Sequence, residues 1–233
     1  MLARLCLAAA LATTALPAIA APSRIVILRH GEKADDWKLC ATGQRRAEAL
    51  AANYLGKGAA NSLFPEAPPD AFIAITLHTL ELAAPAVASW GQPMVLWSAV
   101  PETGMKKPAF TSMLNVRTRE AVADLMSNPR FEGKTVVMVW EHDHIANKKL
   151  DAANPDEPVT LYRLLKLDRF LDMPATWPGE NYDYFIDVAM DSTSGAPTAI
   201  KVIRQVFPAP YTDVPSNEWG KPNGLTKASG CEK

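Results

Sequence analysis

Three short, mostly apolar runs constrain the fold of this chain more than anything else: Arg24–Leu28, Ala71–Leu77 and Lys134–Trp140. Continuous runs of this kind read as strands buried on both faces, as in a parallel sheet covered by helices. Helical spacing fills the gaps between them. Ala47, Leu50, Ala51, Tyr54 and Leu55 share one helix face, with Thr42 as the expected N-cap and Gly56 closing the helix. Further helices are expected over Leu80–Trp90, with Pro85 an awkward member, over Thr118–Met126, stopped by Asn128-Pro129, and over Val159–Leu167. Met94–Ser98 is a further candidate strand. Tyr182–Met190 and Thr198–Phe207 flank a Ser-Gly turn and read as an antiparallel pair. Strands alternating with helices imply an α/β sandwich with a mostly parallel central sheet.

The length of 233 residues suits one domain, expected over 21–233. Pro and Gly cluster at 56–69 and from Pro208 onward, which reads as a long surface loop and an irregular C-terminus. The net charge of −1 gives no global attraction to nucleic acid or to an anionic membrane. Residues 1–20 read as a secretory signal. Arg4 is the positive n-region, Leu5–Ala20 is apolar, and Ala18-Ile19-Ala20 is a small-x-small cleavage site. The alternative, a membrane anchor, has too short a run for the ~20 residues a span needs. Cleavage after Ala20 would make the protein periplasmic or secreted, with no membrane contact, and would remove Cys6. In an oxidising compartment, Cys40 and Cys231 could form one disulfide or remain two unrelated thiols.

The four histidines, His30, His78, His142 and His144, each fall just beyond an expected strand end. In open α/β sheets, ligands bind outside the carboxyl ends of the strands. Three strands therefore send histidine toward one edge. Arg29 precedes His30 and offers a permanently charged planar fork suited to phosphate. Gly31 follows and lets backbone approach an anion closely.

Residues 29–33, Arg-His-Gly-Glu-Lys, directly after the first strand, resemble the nucleophile motif of the histidine phosphatase superfamily, the phosphoglycerate-mutase-like enzymes. Gly43, Arg46 and Ala47 are similar to its next segment, and Trp140-Glu141-His142 to the strand carrying its second histidine. The likeness spans about Arg24 to Val188 and implies a three-layer α/β sandwich. It also implies a phosphomonoesterase that uses neither metal nor cofactor and acts on a phosphorylated small molecule. His30 would attack phosphorus and become phosphohistidine. Arg29 and protonated His142 would hold the phosphoryl oxygens, with Gly31, Lys33 and His78 beside the substrate. Asp143, or failing it Glu81 or Glu102, would serve as the acid on the leaving group.

One position departs from the family pattern. A second phosphate-binding arginine is expected after the second strand, and His78 stands there, in His78-Thr79-Leu80-Glu81. Neutral imidazole lacks the guanidinium fork. Two other readings follow. One is a catalytically weak phosphate-ligand-binding protein of the same fold. The other is a metallohydrolase using the histidines with Glu32, Glu141 or Asp143, against which the charge of Arg29 counts. If His78 does contact phosphate, affinity should weaken as pH rises through its pKa.

Overall fold

In the computed structural model, residues 20–226 and 229–232 are described; the expected signal segment lies almost wholly outside them. Six strands form one sheet in the order β3-β2-β4-β1-β5-β6. These are β1 (Arg24–Arg29), β2 (Ala71–Ala74), β3 (Met94–Leu96), β4 (Thr135–Trp140), β5 (Tyr184–Asp191) and β6 (Ala196–Arg204). The first four run parallel, while β5 is antiparallel to both β1 and β6. The fold is thus the expected α/β sandwich, with a mostly parallel sheet and an antiparallel pair near the C-terminus.

Strand alternation makes two cores of one sheet. Ile25, Ile27, Val136, Met138 and Trp140 face one side. Val26, Leu28, Val137 and Val139 face the other. Helices α1 (Ala41–Leu50) and α2 (Leu77–Trp90) cover the second face through Leu50, Leu82 and Ala86. The first face is covered by α3 (Lys107–Ser127) through Leu114, Val122 and Leu125, by α4 (His142–Ile145) through Ile145, and, beyond α5 (Lys148–Ala153), by α6 (Leu161–Leu164) through Leu161. Among the described residues, no helix is long and apolar enough to cross a membrane.

Several boundaries differ from the sequence reading. Cys40, not Thr42, is the N-cap of α1; its N–H donates to the Glu32 carbonyl, and its sulfur is bonded to Cys231. Strand β2 ends three residues early. Thr76 caps α2 by accepting from the Thr79 N–H while the Thr79 hydroxyl accepts from the Thr76 N–H, so His78 sits in the first turn of a helix. Helix α2 runs through Pro85, because Leu82, Ala83, Ala86 and Val87 are buried around it. Helix α3 begins eleven residues before the expected start, with Pro108 in its first turn. The expected helix over Val159–Leu167 is reduced to α6 and a 3-10 turn at Leu167–Arg169.

Candidate active site

The parallel strands β1 and β4 lie in register with Arg29 beside Trp140. Their next residues therefore leave the sheet together at its carboxyl edge, and His30 N–H still donates to the Trp140 carbonyl. This delivers Arg29 and His30 from one strand and Glu141, His142 and Asp143 from the other to a single point. A cavity of about 790 Å³ opens there, lined by Arg29, His30, Lys33, Glu141, His142 and Asp143 among others.

His30 is buried, and its Nδ1 lies 2.7 Å from the Gly31 carbonyl oxygen. A carbonyl oxygen accepts, so Nδ1 carries the proton and Nε2 is left with its lone pair. Around Nε2 stand Arg29 Nη2 at 3.0 Å, His142 Nδ1 at 3.2 Å and Glu141 Oε2 at 3.6 Å. Burial and then the Arg29 charge push the His30 pKa well below that of free histidine, so the ring is neutral. Burial and Arg29 likewise push His142 down to about 3.

Arg29 is held as a rigid fork. Its Nη1 donates to the carbonyls of Gly179 (2.8 Å), Asn181 (3.1 Å) and Pro178 (3.2 Å), while Nη2 serves both histidines. The Tyr182 ring lies 3.9 Å from its guanidinium carbon. A second buried arginine supports the motif from behind. Arg46 on α1 donates through Nε and Nη2 to the two Glu32 oxygens at 2.9 and 2.7 Å, and its Nη1 lies 3.0 Å from Asp183 Oδ1. Gly43 makes this approach possible, since a Cβ there would meet the Glu32 carbonyl oxygen at 2.2 Å. Burial disfavours the Arg46 charge, but Glu32 and Asp183 outweigh it and raise its pKa.

His78 is fully buried behind Glu141, its Nε2 hydrogen-bonded to Glu141 Oε1, which also accepts from the Thr76 hydroxyl at 2.9 Å. Its ring meets that of His30 edge-on at 5.1 Å. Burial opposes the Glu141 charge, yet the imidazoles of His30 and His78 hold its pKa well below the ordinary carboxylate value. Lys33 and Asp143 line the cavity. Asp143 Oδ1 accepts from Asn147 Nδ2 at 2.7 Å and lies 3.6 Å from His142 Nε2. Glu81 instead accepts from the Leu39 N–H at 2.7 Å and tethers the segment after the motif. Arg117 and Arg119 pair with Glu120 and Glu157. The segment 99–116 contributes Pro101, Met105 and, from within α3, Phe110 to the cavity wall. Sequence reasoning passed over Tyr182 and the bridging part played by Glu141; a charged residue directly after a buried strand was the available signal for the second.

One ring nitrogen each of His30 and His78 and a Glu141 oxygen lie within 4.8 Å of one another, a donor set suited by type to a divalent cation. Arg29 Nη2, however, is 3.0 Å from His30 Nε2, and its charge there would repel a cation.

His144 turns away, its Nε2 2.9 Å from Asn115 Oδ1 on α3, and burial lowers its pKa to about 4. A histidine with its folded pKa below the unfolded value of ~6.5 binds more protons when unfolded, so stability falls as pH drops between the two values. At pH 5 the cost for His144 is roughly 2 kcal/mol, at 1.36 kcal/mol per pKa unit. Thermal melts from about pH 7.5 to pH 5 are therefore expected to show a falling Tm, and His144→Gln to flatten that slope. A Tm independent of pH would contradict the buried neutral imidazole.

No protein-family model and no curated protein matches the chain. Solved structures of histidine phosphatase family members resemble it at low identity. A mycobacterial glucosyl-3-phosphoglycerate phosphatase is 17% identical, covering 78% of this chain and 98% of that one, with a TM-score of 0.43. The same mycobacterial phosphatase with inorganic phosphate is 15% identical, covering 88% and 100%, with a TM-score of 0.42. The alpha-ribazole phosphatase of Shigella flexneri is 13% identical, covering 78% and 96%, with a TM-score of 0.43.

Proposed function

We propose that the protein is an exported phosphomonoesterase acting through a phosphohistidine on His30. One observation carries this reading: the Gly31 carbonyl fixes the tautomer that leaves His30 Nε2 unprotonated, and that nitrogen faces a guanidinium and a second imidazole at the cavity wall. The Nε2 lone pair attacks phosphorus, the bond to the leaving oxygen breaks, and Asp143 gives that oxygen its proton. Water, deprotonated by the Asp143 carboxylate, then attacks phosphorus and breaks the N–P bond. Arg29 holds the phosphoryl oxygens throughout. An arriving dianion offsets the Arg29 charge at His142 and raises its pKa from about 3, so phosphate binding takes up a proton and tightens as pH falls. The disulfide supports an oxidising compartment and hence export.

Turnover of an aryl phosphate from about pH 4 to pH 9, with and without EDTA, tests the reading, together with trapping of labelled protein. The expected result is EDTA-resistant turnover and an acid-labile, alkali-stable phosphoryl group on His30. Turnover lost on chelation would move the chemistry to a cation at His30, His78 and Glu141. Saturable phosphate binding without turnover favours the second reading, a phosphate-ligand-binding protein. The observation behind that reading is that the Glu141 carboxylate, paired with His78, stands 3.6 Å from the nitrogen that phosphorus must approach.

A further inference from the structure

The far wall of the cavity comes from the C-terminal segment, and that segment is pinned at both ends. At its start, fully buried Asn181 donates through Nδ2 to the carbonyls of Glu218 (3.1 Å) and Lys221 (3.3 Å), and its Oδ1 accepts from the Gly220 N–H at 2.6 Å. The same asparagine's carbonyl accepts from Arg29 Nη1. At its end, Cys231 is disulfide-bonded to Cys40, 191 residues away, and the Glu232 N–H donates to the Lys33 carbonyl at 2.6 Å. Between the two pins, Pro222 and Leu225 face the cavity, as do Met105, Phe110 and Leu114 from the start of α3 and the residues before it.

A cavity of about 790 Å³ is far larger than a phosphoryl group requires; pockets of about 300–1,000 Å³ enclose ligands of drug size. Arg29, His30 and His142 supply the phosphate-recognising groups, and the two contributing segments bring Met105, Phe110, Leu114, Pro222 and Leu225 to the wall beside the polar Lys107, Thr111, Asn223 and Thr226. We infer that residues 222–226, lying between these two pins, are the substrate-selecting wall of this site, and that the substrate class is a bulky phosphomonoester whose organic part presents apolar or aromatic surface to Leu225 and Phe110. This rests on the phosphomonoesterase reading and deepens it. Leu225 is then a specificity-determining residue, and the Cys40–Cys231 bond keeps it in place.

The experiment compares two constants in the oxidised full chain, in the same protein after reduction by dithiothreitol, and in Leu225→Asp, which leaves the disulfide intact. One is KM for 1-naphthyl phosphate, whose ring reaches beyond the phosphoryl centre. The other is the competitive Ki of inorganic phosphate, which engages that centre alone. In both altered proteins KM is expected to rise about tenfold, as for loss of an apolar pocket contact, while Ki stays within about twofold. If the two constants rise together, the segment merely props the phosphoryl centre and the selecting role is wrong. If neither moves, the segment is no part of the binding wall. Should reduction unfold the chain, Leu225→Asp decides the matter by the same two constants. If the unaltered oxidised protein turns over no 1-naphthyl phosphate, the phosphomonoesterase reading itself has failed, and the selecting wall with it.

Discussion

Replacing His30 by alanine is expected to lower kcat on an aryl phosphate by about four orders of magnitude or more, the scale on which loss of a nucleophile abolishes covalent catalysis. No neighbouring group can substitute for it. Glu141 Oε2 is 3.6 Å away but is engaged through its other oxygen by His78 and Thr76, and His142 lies against Arg29. The variant should still fold, because the backbone bond from residue 30 to Trp140 is unaffected. It should also bind inorganic phosphate through Arg29, which separates loss of chemistry from loss of the site. The acid can be tested alongside: Asp143→Asn should slow alkyl phosphates more than aryl phosphates, because a poor leaving group depends more on protonation. Residual turnover within about tenfold of the parent in His30→Ala would remove His30 from the chemistry.

The second large effect is on stability. Arg46→Met removes the cation that pairs with two fully buried carboxylates, Glu32 and Asp183. Breaking a buried ion pair from one side costs about 3–5 kcal/mol, because the remaining charge is left without a partner. For a chain of this size that corresponds to a Tm lowered by roughly 6–20 °C. Activity should fall as well. Glu32 is one residue from Gly31, whose carbonyl sets the His30 tautomer, and Asp183 follows Tyr182, whose ring covers Arg29. Burial already raises the Asp183 pKa, so the variant should recover part of its stability as pH falls and the stranded Asp183 carboxylate protonates. A Tm within a few degrees of the parent would show that the network is not what holds the motif.

The sheet was legible because it is a matter of pattern. Runs buried on both faces show no polar alternation, so the parallel strands could be read from Ile25–Leu28 and Val136–Trp140 directly. Arg29, His30, His142 and Asp143 were legible for the same reason, since a polar residue just past such a run must leave the sheet at its carboxyl edge. His78 was misplaced because strand and helix compete over Ile75–Leu77. The pairing of Thr76 with Thr79 settles that contest, ending β2 and starting α2.

What only the tertiary structure decided is where these side chains turn once they leave the sheet. His78 faces Glu141 and not the cavity, and Glu81 ties down Leu39. The C-terminal segment, without periodicity of its own, becomes a cavity wall because Asn181 and Cys40 hold it there. Local sequence determines which residues are apolar and with what period, and hence the strands, the sheet and the edge where the site lies. Side-chain direction and loop path follow from partners distant in sequence, whose hydrogen bonds and ion pairs form only once burial has removed competing water.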